Sequence, residues 1–388
     1  MGKQYISTVS AAKAHELDVL GLAITNKYTV TVSSDGYANF WDNKQDEAHD
    51  PNAFVVKKFI SKYGVHHVSV YENIMPSTKV KVVLLAFANF DGSIVVKSFV
   101  NDDLSTFADV DTGNEFKASF WCPGFYKNPL GQQDFLFATH ASGSTSVYDL
   151  KINSTENSID ISVSIELAGK LNANGTDNSF PNSLSVSKKD KQVAIGYTNG
   201  DVILYDFAAM KPVYTFHSTD LQQTGKGSAS SSIPRVVEFS PGGSILAVAR
   251  DNQSSGTITL YDVEYGENIG SLTTPSHSSK NKIGGFAHDG WVMGLSFDSE
   301  GKLLASCGFD KCVRIWNLES REREATIKVS ISDLEDTEHD ESVDQSVVSG
   351  VQFIERGIRG GAGGDSNEGL CIISFDRAIR WYREAGGI

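Results

Sequence analysis

Apolar and polar residues alternate at period two through most of this chain, in short runs closed by Gly, Asp, Asn or Ser. That pattern predicts strands with one buried face, joined by tight turns. The run "KLLASC" and the following "GFDKCVRIWNL" (Gly308 to Leu318) read as one hairpin. Asp310 and Lys311 supply its turn, and Val313 and Ile315 alternate on the way to Trp316. The same turn-to-tryptophan spacing returns in "SSDGYANFWDN", with Asp35 and Trp41. Weaker copies follow once aromatic or long residues stand for Trp and other turn-formers for Asp: Asp91 to Lys97, Ser142 to Tyr148, Asn199 to Tyr205, Ser255 to Tyr261 and Asp376 to Tyr382. The seven turns recur about every 55 residues, and the last interval is about ten residues longer.

A repeat of this size, with several strands per unit, matches a four-stranded propeller blade. Chain length alone would suggest two or three domains. The repeat overrides that expectation, because one blade cannot bury both faces of its sheet and must stack on neighbours around a ring. The prediction is an all-β, seven-bladed propeller spanning residues 1–388 as one domain, with an acidic loop at about 332–346 inserted before the last blade. Read this way, the chain reaches only the third strand of blade seven. "KQYISTV", with Tyr5, Ser7 and Val9 alternating with Ile6 and Thr8, is the expected fourth strand, closing the ring and removing an open edge.

The motifs "FWDN", "IWNL" and "LYDV" resemble the WD40 family over the whole chain, with two strong and five degenerate repeats. Within it, "GENIGSLTTPSHSS", "GGFAHDGWVMGLSF" and "RAIRWYREAGGI" resemble the WD-repeat subunits of fungal superkiller (Ski) complexes. The resemblance implies a non-catalytic scaffold whose partners are a tetratricopeptide subunit and a DExH-type RNA helicase, assisting cytoplasmic exosome 3′-to-5′ mRNA decay. Related fungal subunits also serve the initiation of meiotic recombination, which would add nuclear residence.

In complete WD repeats the tryptophan anchors a buried polar chain, and two blades here carry all four residue types: His15, Thr31, Asp35 and Trp41, then His288, Ser306, Asp310 and Trp316. Indole N–H, hydroxyl, imidazole and carboxylate can satisfy one another in series and tie three strands together. His288, Ser306 and Asp310 also imitate a catalytic triad. A mid-strand hydroxyl without an oxyanion hole argues against catalysis, so no catalytic residue is expected. Lys97 stands at the Trp position of blade two and Tyr in blades three to five, so these blades are expected to rely on apolar packing.

Composition removes several functional classes. A net charge of −14 opposes nucleic acid as a direct ligand. Neither a signal peptide nor an apolar run near twenty residues is present, and Ile6 stands where a myristoylation motif has Ser or Thr. A cytoplasmic or nuclear protein without membrane contact is the expectation. Cys122, Cys307, Cys312 and Cys371 have no metal-ligand spacing, and the last three read as small core residues. His66 and His67 lie on a predicted strand, where successive side chains face opposite ways and cannot share a metal. "KKDK" (Lys188 to Lys191) reads as a solvated turn, "RGGAGGD" (Arg359 to Asp365) as a flexible turn without the lysine of a phosphate loop, and "DLEDTEHDES" (Asp333 to Ser342) as a loop too polar to pack. No cofactor or metal is expected.

Propellers bind through loops around the channel mouth, where the residue before each turn projects. Those positions are Ser34, Phe90, Ala141, Thr198, Ser254, Phe309 and Phe375. Three phenylalanines at turns call for a partner, and Trp121, Phe180, Arg235, Trp291 and Met293 at the starts of inner strands extend the candidate surface. Phe90, Phe309, Phe375 and Trp291 are expected to form one apolar patch. The competing readings are that some of these side chains plug the channel or pack between blades, or that the protein is a WD adaptor of another kind, such as a ubiquitin-ligase receptor reading a modified peptide through a basic pocket at Arg235.

Overall fold

Each repeat folds into a four-stranded antiparallel sheet, and the seven sheets stand in a ring whose inner strands touch in cyclic order. The computed structural model describes residues 4–44, 50, 52–154, 161–172, 179–218, 232–252, 254–274, 286–334, 345–355, 357–359 and 369–385. Blade one is built from β2 (Val19–Ile24), β3 (Tyr28–Ser33), β4 (Tyr37–Asp42) and β5 (Val56–Phe59), running from the channel to the rim. The other six blades repeat that order. Their inner strands are Val65–Ile74, Phe120–Tyr126, Pro181–Val186, Pro234–Phe239, Val292–Phe297 and Val348–Ile354.

The core follows from the period-two pattern. Both faces of the two middle strands of each blade are buried, so every blade must be covered twice. The buried side chains accordingly form seven clusters, one in each cleft between adjacent blades. The cluster joining blade seven to blade one contains Trp41 and Trp381, edge to face at 5.7 Å.

Closure comes from β1 (Gln4–Ala11). It pairs antiparallel with Ile379–Ala385 and completes the seventh sheet. Thr8 Oγ1 adds a hydrogen bond to the Trp381 carbonyl at 3.1 Å.

Turn chemistry repeats with the blades. The residue after the turn-former has positive φ in six of them: Gly36, Gly92, Gly143, Gly200, Lys311 and Arg377. At Gly36 a side chain is excluded twice over, since a Cβ would lie 2.0 Å from the Ser61 carbonyl oxygen. Blade five departs from the expected turn at Ser255. That residue is already in a strand and pairs with Asn252, so the hairpin is longer. The physical reason is docking: Gly256 donates its N–H to the His288 carbonyl at 3.0 Å, and a Cβ there would meet Val292 at 2.6 Å. The acidic segment lies outside the described residues beyond a short 3-10 turn at Ile331–Asp333, as does "RGGAGGD" beyond Arg359. Among the described residues no helix is long and apolar enough to cross a membrane.

Deleting residues 4–11 should expose the edge of Ile379–Ala385 together with its apolar face. Melting temperature and solubility should fall together, measured by a thermal melt and by sedimentation. A deletion variant that melts like the full chain would contradict closure by β1.

Candidate functional site

The rigid parts of the channel mouth are set by the polar chains. In blade six Trp316 Nε1 donates to Ser306 Oγ at 2.8 Å, Ser306 Oγ lies 2.7 Å from His288 Nε2, and His288 Nδ1 lies 2.9 Å from Asp310. Because the carboxylate can only accept and burial favours the neutral imidazole of His288, the direction of the series is settled. The hydroxyl donates to Nε2, and Nδ1–H donates to the carboxylate. Blade one repeats it, with Trp41 to Thr31 at 3.1 Å, Thr31 to His15 at 2.9 Å and His15 to Asp35 at 3.1 Å. Each Asp also accepts a backbone N–H ahead of the inner strand, from Glu16 and from Asp289, and so locks the turn to the chain entering the blade. Ser306 and His288 are sealed from solvent, so no substrate reaches them.

The expectation that tyrosine blades rely on apolar packing alone is corrected. In blade four the buried Tyr197 and Tyr205 hydroxyls lie 3.0 Å apart. In blade five the buried Arg250 donates from Nη1 to Tyr261 OH at 3.0 Å and from Nη2 to the Phe216 carbonyl at 3.2 Å. Blade seven uses Arg380, fully buried, which bonds Ser374 Oγ at 2.7 Å and Asp376 Oδ2 at 2.6 Å. A phenol brings a hydroxyl into the core that must be satisfied, and arginine or a second phenol supplies the partner. One signal for this was legible: "FDKCVRIW" and "FDRAIRWY" both place Arg four residues after the turn Asp, and Arg314 does bond Asp310.

At the channel mouth every inner strand breaks register near its first residues, skipping Leu20, His66, Trp121 and Cys122, Asn182, Arg235, Met293 and Ser349. Such a bulge re-aims side chains. It overturns the expectation that His66 and His67 face opposite ways: their Nδ1 atoms are 2.6 Å apart. Cys122 Sγ lies 3.7 Å from His67 Nε2, but no group of three His, Cys, Asp or Glu among the described residues is placed to hold a metal ion.

The candidate face residues fall into two groups rather than one patch. On blades two to four, Trp121 stacks on His66 at 4.0 Å, while Phe90 lies 5.0 Å from His66 and Phe180 lies 5.2 Å from Trp121. On blades five to seven, Trp291, Phe309 and Phe375 form an edge-to-face series at 5.4 and 6.0 Å, with the Arg235 guanidinium 4.7 Å from the Trp291 ring. Phe90, Trp291 and Phe309 are 50, 37 and 41% exposed. Met293 instead packs into the cleft between blades six and seven. Arg235 is spent on Asp251, at 3.0 Å from Nε, a partner that the longer blade-five hairpin delivers.

Burial governs titration here. It drives the His66 imidazole down to about 4 and His67, with His66 beside it, down to about 3. His288 is lowered by burial against the opposing pull of Asp310. For Asp310, burial works upward but loses to the hydrogen bonds and charges of His288 and Arg314, which hold it at about 2.

Comparison with known proteins bears on the same residues. The family model "WD domain, G-beta repeat" matches residues 280–317, which carry the blade-six polar chain. The chain is 36% identical to "Antiviral protein SKI8" of Saccharomyces cerevisiae, covering 100% of both chains. It is 37% identical to "WD repeat-containing protein 1" of Xenopus tropicalis over 21% of this chain and 11% of that protein.

Two outcomes follow from this geometry. Asp310→Ala strands Arg314 and two backbone donors in a nearly closed site and should cost about 3 kcal/mol in a denaturant melt. His66 and His67 bind protons more weakly folded than unfolded. Their stability contribution is therefore present above the unfolded pKa of about 6.5 and lost as pH falls toward about 4. Melting temperature should drop between pH 7 and pH 4, and a His66→Gln/His67→Gln variant should show a flatter pH dependence. An equal slope in both proteins would remove the histidine pair as the cause.

Proposed function

The chain belongs to the WD-repeat family of the yeast antiviral protein SKI8, and from that premise we propose that it is a non-catalytic scaffold that holds protein partners at the channel mouth of its propeller. The observation that carries this is the Trp291, Phe309 and Phe375 series. Large rings half-exposed on a rigid rim are unfavourable unless covered, and aromatic residues dominate interface centres. The rim is pre-organised, because the turn bearing Phe309 is tied down by Asp310 and that bearing Phe375 by Asp376, so little ordering entropy is lost on binding.

The partners we propose are the tetratricopeptide subunit and DExH-type RNA helicase of a superkiller-type complex, in support of cytoplasmic 3′-to-5′ mRNA decay. A nuclear role in starting meiotic recombination would draw on the same surface. Phe90, Trp121 and Phe180 make a second contact area across the mouth. Met293 supports the rim from within the cleft. The ubiquitin-ligase reading needs a free cation for a modified peptide, and Arg235 is already neutralised by Asp251. No nucleic acid contact is proposed at this face.

Truncating one anchor at an interface centre typically costs 2 kcal/mol or more, roughly thirtyfold in affinity. Phe309→Ala and Trp291→Ala should lose the tetratricopeptide and helicase subunits in a pull-down while melting within a few degrees of the parent. Retained binding in both variants would remove this face from the interaction. Binding lost only together with stability would make the rings structural.

A further inference from the structure

The outermost strand of blade one and the turn after it differ in charge from the rest of this acidic protein, including the stretch Asp42 to Asp50 that precedes them. From Pro51 to Tyr71 the chain contains no carboxylate but carries Lys57, Lys58 and Lys62, against a net charge of −14 for the whole. Several other lysines are paired, among them Lys27 with Asp42, Lys81 with Glu72 and Asp102, Lys97 with Asp109, and Lys151 with Glu166. Lys57, Lys58 and Lys62 form no ion pair with any described carboxylate. Each lies over an aromatic ring instead. Lys57 Nζ is 4.3 Å from the Tyr37 centroid, Lys62 Nζ 4.9 Å from Tyr63 and Lys58 Nζ 5.5 Å from Phe107.

The rings themselves are open. Phe59 is 55% and Tyr63 53% exposed, and Phe59 stands edge-on to Tyr37 at 5.4 Å, so that Lys57, Tyr37 and Phe59 are contiguous. Lys57, Lys58 and Phe59 belong to β5, the outermost strand of its sheet, and Lys62 and Tyr63 to the turn that follows it. Among the described residues no strand pairs with its outer edge. An unpaired edge flanked by cations and open rings offers three complementary things at once: backbone hydrogen bonds, charge and apolar area.

We propose that this rim is a docking edge for an extended, acidic protein segment that adds a fifth strand beside β5. Its carboxylates would meet Lys57 and Lys62, and its alternate apolar side chains would cover Phe59 and Tyr63. Alternation suits the edge, because Lys57 and Phe59 lie on one face of β5 and Val56 and Lys58 on the other. A polyphosphate fits less well. A sugar-phosphate backbone has no ladder of donors and acceptors to match a strand edge. Edge lysines also discourage pairing between copies, a role that by itself requires no ligand.

The test uses the full chain and a fluorescent peptide that alternates Glu with Val and Phe, read by anisotropy, with hydrogen exchange to locate it. Saturable binding should weaken with salt, protect the β5 amides and disappear for the same peptide with Gln in place of Glu. Lys57→Glu/Lys62→Glu should weaken it roughly tenfold, as two exposed ion pairs become repulsions, with an unchanged melting temperature. Phe309→Ala should leave it intact, which separates this edge from the channel mouth. Absence of saturable binding, affinity unaffected by the double substitution, or protection at the mouth instead of β5 would overturn the proposal. So would displacement by a uridine oligonucleotide, which would mark a phosphate site, or self-association abolished by the double substitution, which would mark a contact between copies.

Discussion

A four-stranded sheet whose middle strands must be covered on both faces cannot stand alone, and this constraint determines the architecture. Each blade needs two neighbours, so a linear stack would leave two raw faces. Only a ring leaves none. The seven inter-blade clusters are the direct result, and the Trp41–Trp381 contact is the point where the first blade meets the last. Closure also explains the placement of β1. A strand from one end of the chain pairing with the last blade converts a local sheet into a lock on the whole circle, because opening the ring requires breaking that sheet or an entire cleft.

Within that ring, polar chains do what apolar packing cannot. Apolar contacts are tolerant of rotation, whereas an indole, a hydroxyl, an imidazole and a carboxylate in series accept one geometry. Blades one and six use the complete series. Blades four, five and seven arrive at related ends through Tyr197–Tyr205, Arg250–Tyr261 and Arg380–Asp376. Degenerate repeats are thus chemically different solutions to the same need, a buried donor matched to a buried acceptor that holds strands in register.

The same devices position the surface. Asp310 and Asp376 hold the turns from which Phe309 and Phe375 project, so the stiffness of the core is passed to the mouth. The recurrent bulge at the head of each inner strand then turns side chains such as His66 and Arg235 toward neighbours they would otherwise miss. Function on this scaffold depends on which side chains occupy those repeated positions, since the positions themselves are common to all seven blades.

What the sequence determined by itself was whatever depends on periodicity and local chemistry. Alternation defined the strands, recurrence defined the blades, and the His, Thr or Ser, Asp and Trp spacing in blades one and six named polar partners that share one repeat. Blade number followed from counting the recurring turns, the ring from the need to cover each blade twice, and the role of β1 from the strand missing in the seventh blade. Tertiary structure decided what depends on register and on neighbouring blades. An extra residue in an inner strand is invisible in a pattern of period two, yet it brings His66 and His67 together. The longer hairpin of blade five, which hands Asp251 to Arg235, is set by Gly256 docking on blade six rather than by any turn signal near Ser255. The division of the face aromatics into two groups likewise belongs to the ring, because alternation says which way a side chain points from its own sheet, while the distance to a side chain on the next blade depends on how the two sheets pack.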